Sequence, residues 1–86
     1  MIYLLRSYTD NGSLLKLGYA KELDNRLSQY KSHNPGIKLI KLREGSRILE
    51  KKFHLYFHFL KYSAYMKEWY VDNDDIVNLF SILEEV

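Results

Sequence analysis

Three residues on one segment pose the first chemical question. Glu50, His54 and His58 recur every four positions. Four helical residues turn through about 400°, so all three share one helix face within about 80°. Arg47, Lys51 and Lys61 flank them. Three readings compete. The face is merely solvated. The two histidines, at i and i+4, share a zinc ion. Or Glu50 holds a hard cation such as Mg²⁺, which asks for only one or two carboxylates and keeps its waters. The zinc reading has no evident fourth ligand and no H-E-x-x-H pattern.

A second group lies nearer the N-terminus. Alternation places Tyr3 and Lys16 on one face of a hairpin, with Tyr3 opposite either Lys16 or Gly18. A phenol ionises at about pH 10 and is a poor base at neutrality. A neighbouring ammonium favours the phenolate. Tyr3 beside Lys16 is therefore a candidate proton acceptor; otherwise it is a half-buried strand residue. Arg26 sits beside the apolar face of a helix, where a surface arginine usually sits.

Charge narrows the partner class. Residues 1–67 hold all 13 Lys and Arg against five acids, a balance of +8. Residues 68–86 hold six acids and no base. A basic body is the electrostatic footprint of an anionic partner, unless its lysines only solubilise. The acids at 72–75 are expected to cap a helix rather than bind metal. With no cysteine, neither a disulfide framework nor a thiolate metal site is available. Arg6 cuts the first apolar run short of a secretory signal. No run approaches the roughly 18 apolar residues of a membrane span. The expectation is a soluble, intracellular protein without a membrane partner.

The elements must position these groups. Residues 2–8 and 14–19 read as strands joined by Thr9-Asp10-Asn11-Gly12-Ser13, an antiparallel hairpin. Residues 21–32 read as a helix with Leu23, Leu27 and Tyr30 on its apolar face, ended by Asn34-Pro35-Gly36. Residues 37–43 read as a third strand whose alternation slips at Ile40, from a bulge or burial on both sides. Ser46 caps a helix over about 47–61, with Ile48, Leu49, Phe53, Tyr56, Phe57 and Leu60 as its apolar stripe. An aromatic stretch follows, in which Trp69-Tyr70-Val71 adds a short strand or packs on the core. Residues 74–84 form a last helix with Ile76, Leu79, Phe80 and Leu83 inward. The 86 residues make one domain. The expected fold is α+β: a three-stranded antiparallel or mixed sheet, with a fourth strand if 69–71 joins it, flanked by three helices in the order β-β-α-β-α-(β)-α.

Several short motifs stand in a telling order. They are Met1-Ile2-Tyr3; Lys16-Leu17-Gly18 followed by Tyr19; Asp24-Asn25-Arg26-Leu27; the step Asn34-Pro35; Leu49-Glu50-Lys51-Lys52-Phe53-His54; and Glu68-Trp69-Tyr70. Together they resemble the GIY-YIG endonuclease superfamily, closest to its short branch with a K-I-G-type second motif, found in phage and large DNA virus proteins. The likeness runs from residue 2 to about residue 80. Met1 stands where the first motif has glycine, and Lys16 where the better known enzymes have tyrosine.

That resemblance implies metal-dependent phosphodiester hydrolysis with one Mg²⁺ or Mn²⁺ on Glu50. Tyr3, helped by Lys16, would take a proton from the attacking water. Arg26 would pair with the phosphate. His54 would orient Glu50 or relay a proton, and Tyr19 would order the water or touch the backbone. Arg26, Lys16, Arg47, Lys51 and His58 would contact nucleic acid, with DNA the expected form. A protein partner or a homodimer would supply specificity. The alternative is a non-catalytic nucleic-acid-binding module with the same basic face. A third reading is a protein-interaction domain using the aromatic stretch, against core packing of Tyr62, Tyr65, Trp69 and Tyr70.

Overall fold

The first strand is apolar on both sides, and that decides the layering. In the computed structural model, which describes residues 1–10, 12–60, 62, 64–65 and 68–83, strand β1 (Ile2–Thr9) buries Ile2 and Leu4 on one face and Tyr3 and Leu5 on the other. A strand covered on both faces reads as a continuous apolar run rather than an alternating one. It pairs antiparallel with β2 (Gly12–Tyr19) on one side and β3 (Lys38–Arg43) on the other. Helix α1 (Leu23–His33) covers the Tyr3 face, where Leu23, Leu27 and Tyr30 pack on Tyr3, Leu5, Ala20 and Ile37. Helices α2 (Arg47–Phe59) and α3 (Asp74–Ile82) cover the other face, adding Leu49, Phe53, Phe57, Ile76 and Phe80 to Ile2, Leu4, Leu15 and Leu17.

The sheet order is β3-β1-β2-β5-β4, with β4 at Ala64–Tyr65 and β5 at Trp69–Val71. Every pairing is antiparallel. The architecture is the expected α+β fold with three helices, and Trp69-Tyr70-Val71 does join the sheet. The two-residue β4 is an addition too short to leave a periodic signal. The slip expected in the third strand is a bulge: Leu4 opposes Lys41 while Leu5 opposes Leu39, so Ile40 is the extra residue. Thr9 already opposes Gly12, whose φ of 126° suits glycine. Asn11 of the expected turn lies outside the described residues, as does the Tyr65 side chain.

Side chains close the helix ends. Ser46 accepts from the Leu49 amide at 3.3 Å, and Asn73 from the Asp75 amide at 2.7 Å. Asp74 and Asp75 occupy the first turn of α3, where carboxylates complement the dipole. Arg43 donates through Nη1 to the carbonyls of Phe80 (2.8 Å) and Leu83 (2.6 Å), satisfying groups the end of α3 leaves unpaired. Asp72 draws Arg6 to 2.8 Å and accepts from Ser13 at 2.5 Å, which fastens the start of α3 to β1 and β2.

The apolar stripe of α2 is narrower than its sequence indicates. The buried row is Leu49, Phe53 and Phe57. Ile48 falls about 140° from the centre of that row and is 64% exposed. Leu60 lies at the C-cap, past the last helical turn, and Tyr56 on the flank; both are exposed. Among the described residues no helix is long and apolar enough to cross a membrane.

Gly18 is fixed by the ring it faces. A Cβ there would sit 2.3 Å from the Tyr3 hydroxyl and 2.4 Å from Cζ. Gly18→Ala is expected to lower stability by about 1–3 kcal/mol, the range for overpacking a core, read as a lower urea midpoint. Gly36→Ala, whose nearest neighbour would be 3.6 Å away, is expected to leave the midpoint nearly unchanged.

Candidate functional site

β1 begins and β2 ends at the same edge of the molecule, where the Ala20 amide donates to the Met1 carbonyl at 3.0 Å. A cleft of about 500 Å³ opens there, lined by Tyr19, Ala20, Asn25, Arg26, Gln29 and Arg47 among others. It lies between the first turns of α1 and α2, since Arg26 belongs to one and Arg47 to the other. The Arg47 guanidinium stands over the Tyr19 ring, 5.3 Å from its centroid. Two expected nucleic-acid contacts and one expected catalytic tyrosine thus meet in one concavity.

Behind the cleft is a pair of phenols. The Tyr3 and Tyr30 hydroxyls are 2.9 Å apart. Tyr3 opposes Gly18, whereas Lys16 opposes Leu5, so the direct Tyr3–Lys16 pairing left open by the sequence is not formed. Instead the Lys16 ammonium lies 4.8 Å from the Tyr30 ring centroid and 5.0 Å from that of Trp69, and 3.4 Å from a Glu68 carboxylate oxygen. The two phenols respond oppositely. Burial first, then the bond to Tyr30, holds the Tyr3 phenol well above its ordinary range, with Arg26 pulling weakly the other way. Burial also pushes Tyr30 up, but hydrogen bonds with Tyr3 and Arg26 and the charge of Lys16 outweigh it and leave Tyr30 below its ordinary value. Arg26 is pushed up by its contact with the Tyr30 hydroxyl and by Tyr3. Among the described residues it has no carboxylate within ion-pair distance.

The help that Lys16 was expected to give Tyr3 therefore falls on Tyr30. Sequence reasoning had placed Tyr30 only on an apolar face. The available signal was its position four residues after Arg26, one helical turn along the same face.

The Glu50–His54–His58 row is not a uniform polar face. Each i+4 step drifts by about 40°, so the three stand about 60°, 100° and 140° from the core row of α2. Burial follows that drift: Glu50 is 8% exposed, His54 half-buried and His58 exposed. Burial raises the Glu50 carboxyl above its usual range, and the nearby Glu68 charge adds to it; Arg47, Lys51 and Arg26 oppose. His54 does not bond Glu50. Its Nδ1 hydrogen-bonds the Tyr70 hydroxyl, and its ring stacks on Tyr70 at 5.6 Å. Burial holds His54 below its usual pKa despite the Glu68 charge. Its buried Nε2 has no hydrogen-bond partner among the described residues. His58 meets the Tyr70 ring edge at 6.3 Å, and Lys51 is exposed on α2.

Glu68 is the group the sequence reading left out of the site. Its charge acts on Tyr3, Glu50, His54 and Tyr70, and its carbonyl accepts the Leu17 amide at 3.1 Å. It stands where β5 begins, at the border of the two sheet faces. Among the described residues no group of three or more His, Asp or Glu side chains is arranged to hold a metal ion. What is present is Glu50, buried as a residue, with the Glu68 carboxylate adding to its charge. Such hard oxygen donors fit Mg²⁺ or Mn²⁺, which complete their shells with water and substrate phosphate.

Two measurements check these environments. Ultraviolet titration is expected to show a tyrosine ionising below the ordinary value of 10.0. Tyr30→Phe removes that step, and Lys16→Met moves it to higher pH. The second concerns Tyr70, which burial and the charges of Glu68 and Glu50 push up to about 12. Unfolding releases this phenol to ionise at about 10. Its contribution is thus complete below that pH and is lost as pH rises through about 12. Tyr70→Phe is expected to flatten this alkaline fall. At neutral pH it costs about 1–3 kcal/mol by leaving His54 Nδ1 without its partner. Denaturation midpoints across pH read both effects.

Comparison with known proteins corrects the family expected from the motifs. No curated protein and no solved structure matches the chain. A family model does match, over residues 1–84, and it is the T5orf172 domain, not the GIY-YIG endonuclease superfamily. The motifs were two to six residues long, with Met1 and Lys16 at positions that should have defined the first two. The T5orf172 domain occurs in nuclease-like proteins of phages and bacteria, which points to a role connected with nucleic acid. With a match of that extent, the chain belongs to the T5orf172 domain family.

Proposed function

We propose that this domain hydrolyses phosphodiester bonds in nucleic acid, using one divalent cation. The observation that carries the reading is the buried Glu50 carboxylate within the electrostatic reach of Arg26, which itself touches the Tyr3–Tyr30 pair. A carboxylate, a guanidinium and an acidified phenol are the three kinds of group that phosphodiester hydrolysis needs. The family's occurrence in nuclease-like proteins and the basic body support the same substrate class.

Each residue has a task set by its surroundings. Glu50 would hold the cation, with the charge of Glu68 deepening the local negative potential. Mg²⁺ or Mn²⁺ bound there would supply charge to polarise the phosphate and steady the leaving oxygen. Arg26 pairs with the phosphate oxygens as negative charge grows on them. Tyr30 takes the proton from the attacking water, because it is the phenol its neighbours make more acidic. Tyr3, held protonated by burial, donates its hydrogen bond to the Tyr30 oxygen and keeps that oxygen in place. Lys16 lowers the cost of charge on Tyr30. His54 stays neutral and fixes Tyr70. Arg47, Lys51 and His58 are exposed and positioned to meet the backbone of the strand.

The test is a panel of single-stranded, duplex and branched DNA and RNA, incubated with Mg²⁺ and with Mn²⁺. Wild type is expected to cleave at least one member. Glu50→Gln is expected to abolish cleavage while the fold, relieved of a buried charge, is retained. Arg26→Ala is expected to lower the rate by about 10²–10³-fold, as loss of a transition-state charge partner does. Cleavage undiminished in Glu50→Gln would sink the assignment. Binding without cleavage under every cation would make the domain a non-catalytic nucleic-acid-binding module instead.

A further inference from the structure

The cleft beside the phenol pair has three walls, Tyr19, Asn25 and Gln29, to which the hydrolytic reading gives no task. Tyr19 packs against the larger core cluster, so its ring is held in place. The guanidinium of Arg47 covers that ring at 5.3 Å. Both side chains line the cleft, so an aromatic ring and a guanidinium meet on one of its walls. Across from it, Asn25 and Gln29 stand four residues apart on α1 and line the same space. The Asn25 amide nitrogen is engaged by Glu22 at 2.6 Å, which leaves its carbonyl oxygen to accept. Amide side chains offer both donors and acceptors. Arg26 joins the cleft to Tyr30.

We infer that this cleft receives one unpaired nucleotide of the substrate, next to the phosphate held by Arg26. The inference rests on the proposed action on nucleic acid and names the structural class of substrate. Unpaired bases stack on aromatic rings and on arginine planes, and they expose edges that amides can bond. The volume of about 500 Å³ lies within the roughly 300–1,000 Å³ of small-ligand pockets. A single nucleotide fits such a space, and a paired duplex does not. Positive charge at Arg26 and Arg47 suits a nucleotide better than an apolar ligand.

The test uses full-length Glu50→Gln, so that binding is read without cleavage. Its probes are a perfect duplex and the same duplex carrying a one-nucleotide bulge, each as DNA and as RNA. The bulged position holds 2-aminopurine, whose fluorescence falls when the base stacks. The bulged duplex is expected to bind about tenfold tighter than the perfect one, the scale of one stacked base. Its fluorescence is expected to fall on binding. Arg47→Lys keeps the charge but loses the plane, so it is expected to erase the preference, the bulged and perfect duplexes then binding alike. Gln29→Ala is expected to weaken the preference without changing the fluorescence of the bound base. Equal affinity for the two duplexes, or a preference that survives Arg47→Lys, would overturn the inference. If wild type still cleaves in that case, the hydrolytic reading stands and only the substrate class is wrong. If no nucleic acid binds, both readings fail together.

Discussion

The hydroxyl of Tyr3 is buried between the sheet and α1, where it hydrogen-bonds the hydroxyl of Tyr30. A buried polar group without a hydrogen bond is costly, so this contact dictates where α1 can lie. It also dictates what can stand opposite Tyr3, because the ring fills the space a side chain at position 18 would need. The glycine and the helix are thus consequences of the same phenol. Once α1 is docked, Arg26 comes to the mouth of the cleft and Tyr30 comes within reach of Lys16. Packing and electrostatics are set by one interaction.

The second helix enters through a different constraint. Its core row of Leu49, Phe53 and Phe57 must face Ile2, Leu4 and Leu17. Glu50 lies just off that row and is carried into the interior by the packing of its neighbours. Its raised carboxyl is the electrostatic consequence. A carboxylate that is expensive to keep charged is one that a cation stabilises strongly. The core that buries Glu50 therefore also sets the charge that the proposed cation would meet.

Much of the fold was legible because periodicity reports burial. The apolar run at residues 2–5, the slip at Ile40 and the cap at Ser46 all left local marks. Of the acids expected to cap the last helix, Asp74 and Asp75 do stand in its first turn, but the cap is Asn73 and Asp72 turns to Arg6 and Ser13. A two-residue strand such as Ala64–Tyr65 leaves none. The site was legible in part. Arg26 acts electrostatically on both Tyr3 and Glu50. Side-chain partners were harder to read, because hairpin register decides them and sequence did not set it. Lys16 reaches Tyr30, on a different element, and Tyr30 looked like core because its ring is core. A tyrosine serves both ends, and periodicity sees only the ring. Glu68 was hidden for another reason: its influence runs through space to four residues on three elements and has no spacing rule.

The Asp72 fastening has a meaning beyond stability. It holds the start of α3 against the far end of β2, where Val71 opposes Leu14. Asp72, Asp74 and Asp75 therefore collect at one pole of the molecule, while Tyr19, Arg26 and Arg47 stand at the other. Yet Arg6 neutralises part of the first pole, and Glu22 lines the cleft at the second. Charge therefore changes sign over short distances rather than along one axis. At physiological salt each charge is screened over about 8 Å, one Debye length, so an approaching ion would feel the few groups of the face it meets more than the net charge of the whole.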